Sequence, residues 1–116
     1  MKKFVVTGGS GFIGSNLVKF LLSKNYFVIN IDKLSYSANP YNIKKIRKNK
    51  NYRFFNIDIN SQKQIYSILK KFKPHAIFNL AAETHVDRSI DSPKNFINSN
   101  ILGVYSLLET LKKYLK

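Results

Sequence analysis

Apolar and polar positions along the chain change period several times, and each change marks a boundary between elements. Lys3-Phe4-Val5-Val6-Thr7 is a short β-rich run stopped by Gly8-Gly9-Ser10-Gly11. From Phe12 the spacing turns helical, with Ile13, Leu17, Phe20 and Leu21 expected on one face. Tyr26 to Ile31 reads as a second strand, closed by Asp32. A polar loop containing Pro40 follows over 33–41, and a short basic helix is expected around 43–48. Tyr52 to Ile57 reads as a third strand ending at Asp58. Ser61 stands where a helix cap belongs, and Ile65, Ile68, Leu69 and Phe72 form the apolar stripe of the helix that Pro74 ends. His75 to Leu80 is the fourth strand. A long polar loop through Asp91-Ser92-Pro93 leads into a last helix from about Lys94 to Tyr114, with Ile97, Ile101, Val104, Leu108, Leu111 and Leu115 spaced alternately by four and three.

Strands separated by helical crossovers predict an α/β fold, with a parallel sheet covered by helices on both faces. Right-handed crossovers make it a doubly wound sheet of the Rossmann type, partial, in strand order 3-2-1-4. Residues 1–116 are expected to form one such domain. The chain is 44% hydrophobic and 14% aromatic, too apolar for a disordered segment. No apolar run approaches the ~20 residues needed to cross a bilayer, so no membrane partner is expected. Met1-Lys2-Lys3 begins like a secretory leader, but Phe4-Val5-Val6 falls short of the ~7–15 apolar residues a leader needs. The expectation is a cytoplasmic protein. The absence of cysteine excludes disulfides, thiolate metal sites and cysteine nucleophiles, and no metal site is expected.

Charge changes the picture less than its size implies. Lys+Arg is 20 against Asp+Glu 6, a formal net of +14, which is the balance of many nucleic-acid binders. Nearly all the cations are lysines, spread over the polar sides and ends of the predicted helices, with one dense cluster at Lys44, Lys45, Arg47, Lys48 and Lys50. That spread reads as solvated surface, and no nucleic-acid partner is expected.

The chemistry lies in the glycines. Gly9-Ser10-Gly11-Phe12-Ile13-Gly14 matches G-x-G-x-x-G between a predicted strand and a predicted helix, the context that gives the pattern meaning. Small residues let the chain turn sharply, let the backbone approach a diphosphate, and let the helix pack on the sheet; the helix start then offers N–H groups to the phosphates. Asp32 ends the second strand about 18 residues beyond Gly14, near the spacing of a ribose-binding carboxylate. A carboxylate there accepts from ribose hydroxyls and repels a 2′-phosphate, which favours NAD over NADP, with the neighbouring Lys33 acting in the opposite sense. Read without the glycines, Asp32 is equally a turn or cap residue. Asp58-Ile59 closes the third strand in position to meet an adenine, although a lone Asp58 is also an ordinary loop carboxylate.

These residues resemble a known family. Thr7 to Gly14 is similar to the opening of the extended short-chain dehydrogenase/reductases that act on nucleotide sugars. Asp32-Lys33-Leu34-Ser35-Tyr36 and Asn79-Leu80-Ala81-Ala82-Glu83-Thr84-His85-Val86-Asp87-Arg88-Ser89-Ile90 narrow the resemblance to the dTDP-glucose 4,6-dehydratases. It covers the whole chain but only about the first third of a family member. The resemblance implies NAD as cofactor, with Gly8, Gly11, Phe12, Ile13 and Gly14 at the diphosphate, and Asp32, Lys33, Leu34 and Ser35 around the adenosine ribose. It places Asp58 and Ile59 at the adenine, and Leu80, Ala81, Ala82, Glu83 and Thr84 along the central and nicotinamide side. Thr84 and His85 would face the sugar, Ser99 replaces a threonine that contacts the cofactor, and Asn100 supports the active site without itself being catalytic.

In that family NAD takes a hydride from C4 of the glucose ring, water leaves across C5 and C6, and the hydride returns to C6. The base is the tyrosine of a Tyr-x-x-x-Lys pair beyond the fourth crossover helix, where this sequence stops. Tyr66 with Lys70 and Tyr41 with Lys45 match the pattern by chance, in segments that do not face the carboxyl ends of the strands. The expectation is therefore the amino-terminal part of a dTDP-glucose-converting enzyme, or a truncated product, inactive alone, with a homodimer implied for the full-length family member. The alternatives are a part of a related nucleotide-sugar enzyme and a non-catalytic NAD-binding module.

Overall fold

The computed structural model describes residues 1–33, 46–80 and 102–116. Its elements run β1 (Lys3–Thr7), α1 (Phe12–Ser23), β2 (Phe27–Ile31), a 3₁₀ turn (Ile46–Lys48), β3 (Tyr52–Phe55), α2 (Gln62–Phe72), β4 (Ala76–Asn79) and α3 (Gly103–Leu115). The four strands form one parallel sheet in the order β3-β2-β1-β4, as the alternation of strand and helix predicts. The central pair is in register from Lys3 opposite Phe27 to Thr7 opposite Ile31. Both strands therefore end at the same level, with Gly8 and Asp32 as the next residues.

Alternation along the strands divides the core in two. On one face Val6 and Val28 pack with Val18, Leu21 and Leu22 of α1 and with Tyr52. On the other face Val5, Ile29 and Ile31 pack with Ile65, Ile68 and Leu69 of α2 and Leu107 of α3. The stripe expected on α2 is the one buried, and each of its fully covered side chains contributes about 1.5–3 kcal/mol.

Two helices present a different face from the one their spacing predicts. In α1 the buried residues are Gly14, Ser15, Val18, Leu21 and Leu22, while Ile13 and Phe20 are 68% and 56% exposed. The cause is Gly14: a Cβ there would lie 2.1 Å from the Gly8 carbonyl oxygen, so this edge of the helix can meet the turn only while it lacks a side chain. In α3 the buried residues are Gly103, Ser106, Leu107 and Thr110, while Leu108 and Leu115 of the expected stripe are exposed. Small side chains bring α3 against α2, and the Ser106 hydroxyl donates to the Asn60 carbonyl in the turn before α2, at 3.3 Å. Ser61 holds the cap position of α2 without a side-chain cap bond; its backbone N–H donates to the Asp58 carbonyl at 2.9 Å instead. β3 also ends earlier than expected, at Phe55, leaving Asp58 in the turn beyond it.

The cations find rings rather than carboxylates. Arg53 and Lys3 lie 5.2 and 5.9 Å from the Phe27 ring centroid, and Lys70 lies 5.7 Å from that of Tyr66, the ring of the rejected Tyr-x-x-x-Lys match. The ion pair between Lys33 and Asp58, at 3.9 Å, is the only one among the described residues. No described helix is long and apolar enough to cross a membrane, and the described residues hold no group of acidic or histidine side chains able to bind a metal.

Candidate functional site

The site forms where β1, β2 and β4 end together. Gly8 leaves β1 at φ 72°, a backbone region closed to most side chains, and its N–H donates to the Ile31 carbonyl at 2.9 Å. Gly11 donates back to the Gly8 carbonyl at 3.2 Å, closing the turn, and α1 starts at the next residue. A helix start leaves its first N–H groups without partners in the helix. No side chain caps α1, its first turn carries no acidic residue, and among the described residues nothing accepts from the N–H groups of Phe12, Ile13 and Gly14. Phe12 itself is 76% exposed, so the mouth of the turn is open.

The glycines do different work. Gly9 and Gly14 are closed to a Cβ by the protein itself, through Asn30 and through the Gly8 carbonyl. Among the described residues a Cβ on Gly11 would make an ordinary contact, 3.5 Å from the Gly8 oxygen. The described packing therefore does not require glycine at 11 as it does at 9 and 14.

Asp32 faces this mouth. One oxygen of its carboxylate accepts from the Ser10 N–H at 3.0 Å, so the carboxylate sits against the bend and the bend is held to β2. Lys33 is exposed beside it and pairs with Asp58, a weak interaction at a half-exposed position. Asp58 shapes the turn after β3, its Oδ1 accepting from the backbone N–H of Asn60 at 2.9 Å, and Ile59 next to it is buried. Leu80 follows β4 and donates its N–H to the Thr7 carbonyl and hydroxyl, each at 3.0 Å. Gly8, Gly11, Phe12, Ile13, Gly14, Asp32 and Leu80 thus gather at one end of the sheet, with the Lys33–Asp58 pair beside them. Leu34, Ser35, Ala81, Ala82, Glu83, Thr84, His85, Ser99 and Asn100 lie outside the described residues, as do Tyr41 and Lys45.

Sequence reasoning overlooked the polar residues beneath the turn. Asn30, fully buried on β2, contacts Gly9, Ser10 and Tyr52. Burial pushes the Tyr52 hydroxyl above the ordinary tyrosine range, against a smaller opposing effect of the bond from Asn30. Thr7, also fully buried, donates its hydroxyl to the Asn79 side chain and so ties β1 to β4. The available signal was a polar residue inside an apolar strand run, Val28-Ile29-Asn30-Ile31. A separate cavity of about 1000 Å³ lies between α2 and α3, lined by Gln62, Tyr66, Thr110 and Lys113 among others. None of the sequence-predicted site residues that are described lines it.

The fold defines a doubly wound parallel α/β domain of the Rossmann type. The model of the GDP-mannose 4,6 dehydratase family matches residues 5–116, and the chain belongs to that family. It is 46% identical over 115 residues to a dTDP-glucose 4,6-dehydratase of Haemophilus influenzae, covering 98% of this chain and 34% of that protein. Among solved structures it is similar to the dTDP-glucose 4,6-dehydratase of Streptomyces venezuelae with NAD bound, at TM-score 0.88 and 35% identity over 97% of this chain and 36% of the other. It is also similar to the UDP-glucose 4-epimerase of Thermotoga maritima with UDP-glucose, at TM-score 0.84 and 36% identity over 97% and 34%. The chain spans about a third of the length of the curated relatives it matches.

Proposed function

We propose that this chain is the amino-terminal, NAD-binding part of a cytoplasmic dTDP-glucose 4,6-dehydratase, an enzyme that converts dTDP-glucose to its 4-keto-6-deoxy product. The observation that carries the reading is the Asp32 carboxylate against the Ser10 N–H, beside a helix start whose first amides find no acceptor among the described residues. Among the described residues a Cβ on Gly11 would meet only the Gly8 oxygen, at 3.5 Å, which leaves room there for a diphosphate at van der Waals contact with the backbone.

In this reading the amides of the Gly8–Gly14 turn hold the diphosphate, with Phe12 and Ile13 beside it. Asp32 accepts from the adenosine ribose hydroxyls, with Lys33, Leu34 and Ser35 around it, and Asp58 and Ile59 flank the adenine. Leu80 to Thr84 and Ser99 line the nicotinamide side, Thr84 and His85 meet the sugar, and Asn100 supports the reacting groups. NAD bound there supplies a hydride acceptor that later returns the hydride. The work of this chain's own residues is to bind and orient, and the acid–base residues of the dehydration are assigned outside it. A homodimer of the full-length enzyme belongs to the same proposal.

Thermal unfolding with NAD and with NADP tests the reading. NAD should raise the melting temperature, each tenfold excess over Kd adding about 1.4 kcal/mol, and NADP should do so more weakly because Asp32 opposes its 2′-phosphate. No shift at millimolar NAD would overturn it. The likeness to the Thermotoga maritima epimerase supports a second reading, a related nucleotide-sugar epimerase. Chemical analysis of the sugar product of the full-length enzyme separates the two.

A further inference from the structure

We propose that Asn30 is a positioning residue for the diphosphate: its buried amide fixes the Gly9-Ser10 turn, and so fixes where the N–H groups at the start of α1 meet the phosphates. The proposal rests on the dinucleotide reading and adds to it a residue that touches neither ligand nor solvent.

Asn30 is 0% exposed, one residue before the end of β2, on the same face as Val28 and Asp32. Its Oδ1 accepts from the Gly9 N–H at 2.9 Å. Its Nδ2 donates to the Ser10 hydroxyl at 3.2 Å and to the Tyr52 hydroxyl at 3.0 Å. Both amide hydrogens and the carbonyl oxygen are therefore engaged. The orientation is set by chemistry, because a flipped amide would place its N–H groups against the Gly9 N–H, which can only donate. The fit is tight as well: a Cβ on Gly9 would lie 2.4 Å from Oδ1. Asp32, the residue after β2 and on the same face, holds the same turn through the Ser10 N–H, so Asn30 and Asp32 fix two successive residues of the bend. An amide serves here better than a carboxylate, since it accepts from Gly9 without placing a negative charge under a phosphate.

The test uses the purified protein, amide hydrogen exchange at Gly9 and Ser10, and titration with NAD and with adenosine, which lacks the diphosphate. In Asn30→Val the Gly9 amide should exchange at least about tenfold faster and NAD should bind about tenfold more weakly, with adenosine affinity unchanged. Tyr52→Phe keeps both bonds to the turn and should hold NAD affinity within about threefold. Asn30→Asp retains the acceptor for Gly9 and adds charge, so it should weaken NAD more than adenosine even if Asn30→Val does not fold. Unchanged Gly9 exchange in Asn30→Val, or a parallel loss of NAD and adenosine in the Asn30 variants, overturns the assignment and leaves the dinucleotide reading intact. A wild-type protein that binds neither ligand overturns the dinucleotide reading itself, and with it the role assigned to Asn30.

Discussion

On the α1 face of the sheet, β2 and the residue after it present Val28, Asn30 and Asp32; on the opposite face the same strand presents Phe27, Ile29 and Ile31. One strand thus carries a buried amide and a buried carboxylate on one side and only hydrocarbon on the other. The apolar face is closed by Ile65, Ile68 and Leu69 of α2, all nearly or fully buried. The α1 face needs a partner for every polar atom it covers, because an unpaired buried group costs about 1–3 kcal/mol. Tyr52, Ser10 and the Gly9 N–H are among those partners. The α2 face holds the domain together, and the α1 face spends part of its core on shaping the turn.

Substitutions on the two faces should therefore separate stability from binding. The largest effect is expected on the apolar face: Leu69→Ala removes a side chain that is 1% exposed and should cost about 2–5 kcal/mol in urea unfolding. NAD affinity, corrected for the folded fraction, should stay unchanged; a tenfold loss would show that the faces are not separable. Next is Gly14→Ala, which drives a methyl group into the Gly8 carbonyl and should lose about 1–3 kcal/mol of stability together with NAD binding. Asp32→Asn keeps a side-chain acceptor for Ser10 but removes the charge. It should weaken NAD about tenfold, or ~1.4 kcal/mol, and narrow the preference over NADP, as measured by calorimetric titration.

Tyr52→Phe should cost about 1 kcal/mol, at the lower end of the range for an unpaired buried group, by leaving an Asn30 N–H unpartnered. It also makes a pH prediction. Burial raises the Tyr52 pKa above the ordinary 10.0, so the folded state keeps its proton where the unfolded chain loses it. That contribution to stability is complete below pH 10.0 and is lost as pH rises through the higher folded value. Wild type should accordingly lose more stability than Tyr52→Phe above pH 10.0, and parallel curves would remove Tyr52 from the polar network. Gly11→Ala should move stability least, within about 0.5 kcal/mol, while still weakening NAD, since among the described residues its Cβ meets the Gly8 oxygen alone, at an ordinary distance.

Much of this was legible in the sequence. Val5, Val6 and Val28 to Ile31 read as buried strand because their apolar runs are short and bounded by glycine or aspartate. The bend at Gly8–Gly14 and the carboxylate at Asp32 were legible because a tight strand-to-helix turn demands small residues at fixed spacing and the second strand ends on an acid. The faces of α1 and α3 were not. Periodicity counted Ile13 and Phe20 as inward, yet Gly14 and Val18 pack on the sheet; it counted Leu108 as inward, yet Ser106 and Thr110 lie against α2. Hydrophobic spacing registers large apolar groups, whereas a close helix contact is decided by what is small.

By itself the sequence determined the order of elements, the parallel sheet, the glycine bend and the aspartate at the strand ends, because each follows from local period, turn chemistry and the handedness of crossovers. Only the tertiary structure decided that Asn30 lies under Gly9, that Asp32 holds Ser10, and that a Cβ at 14 would collide with the Gly8 carbonyl while one at 11 would meet it at an ordinary distance. Those contacts join residues up to 22 positions apart, across strands whose register fixes which side chains meet.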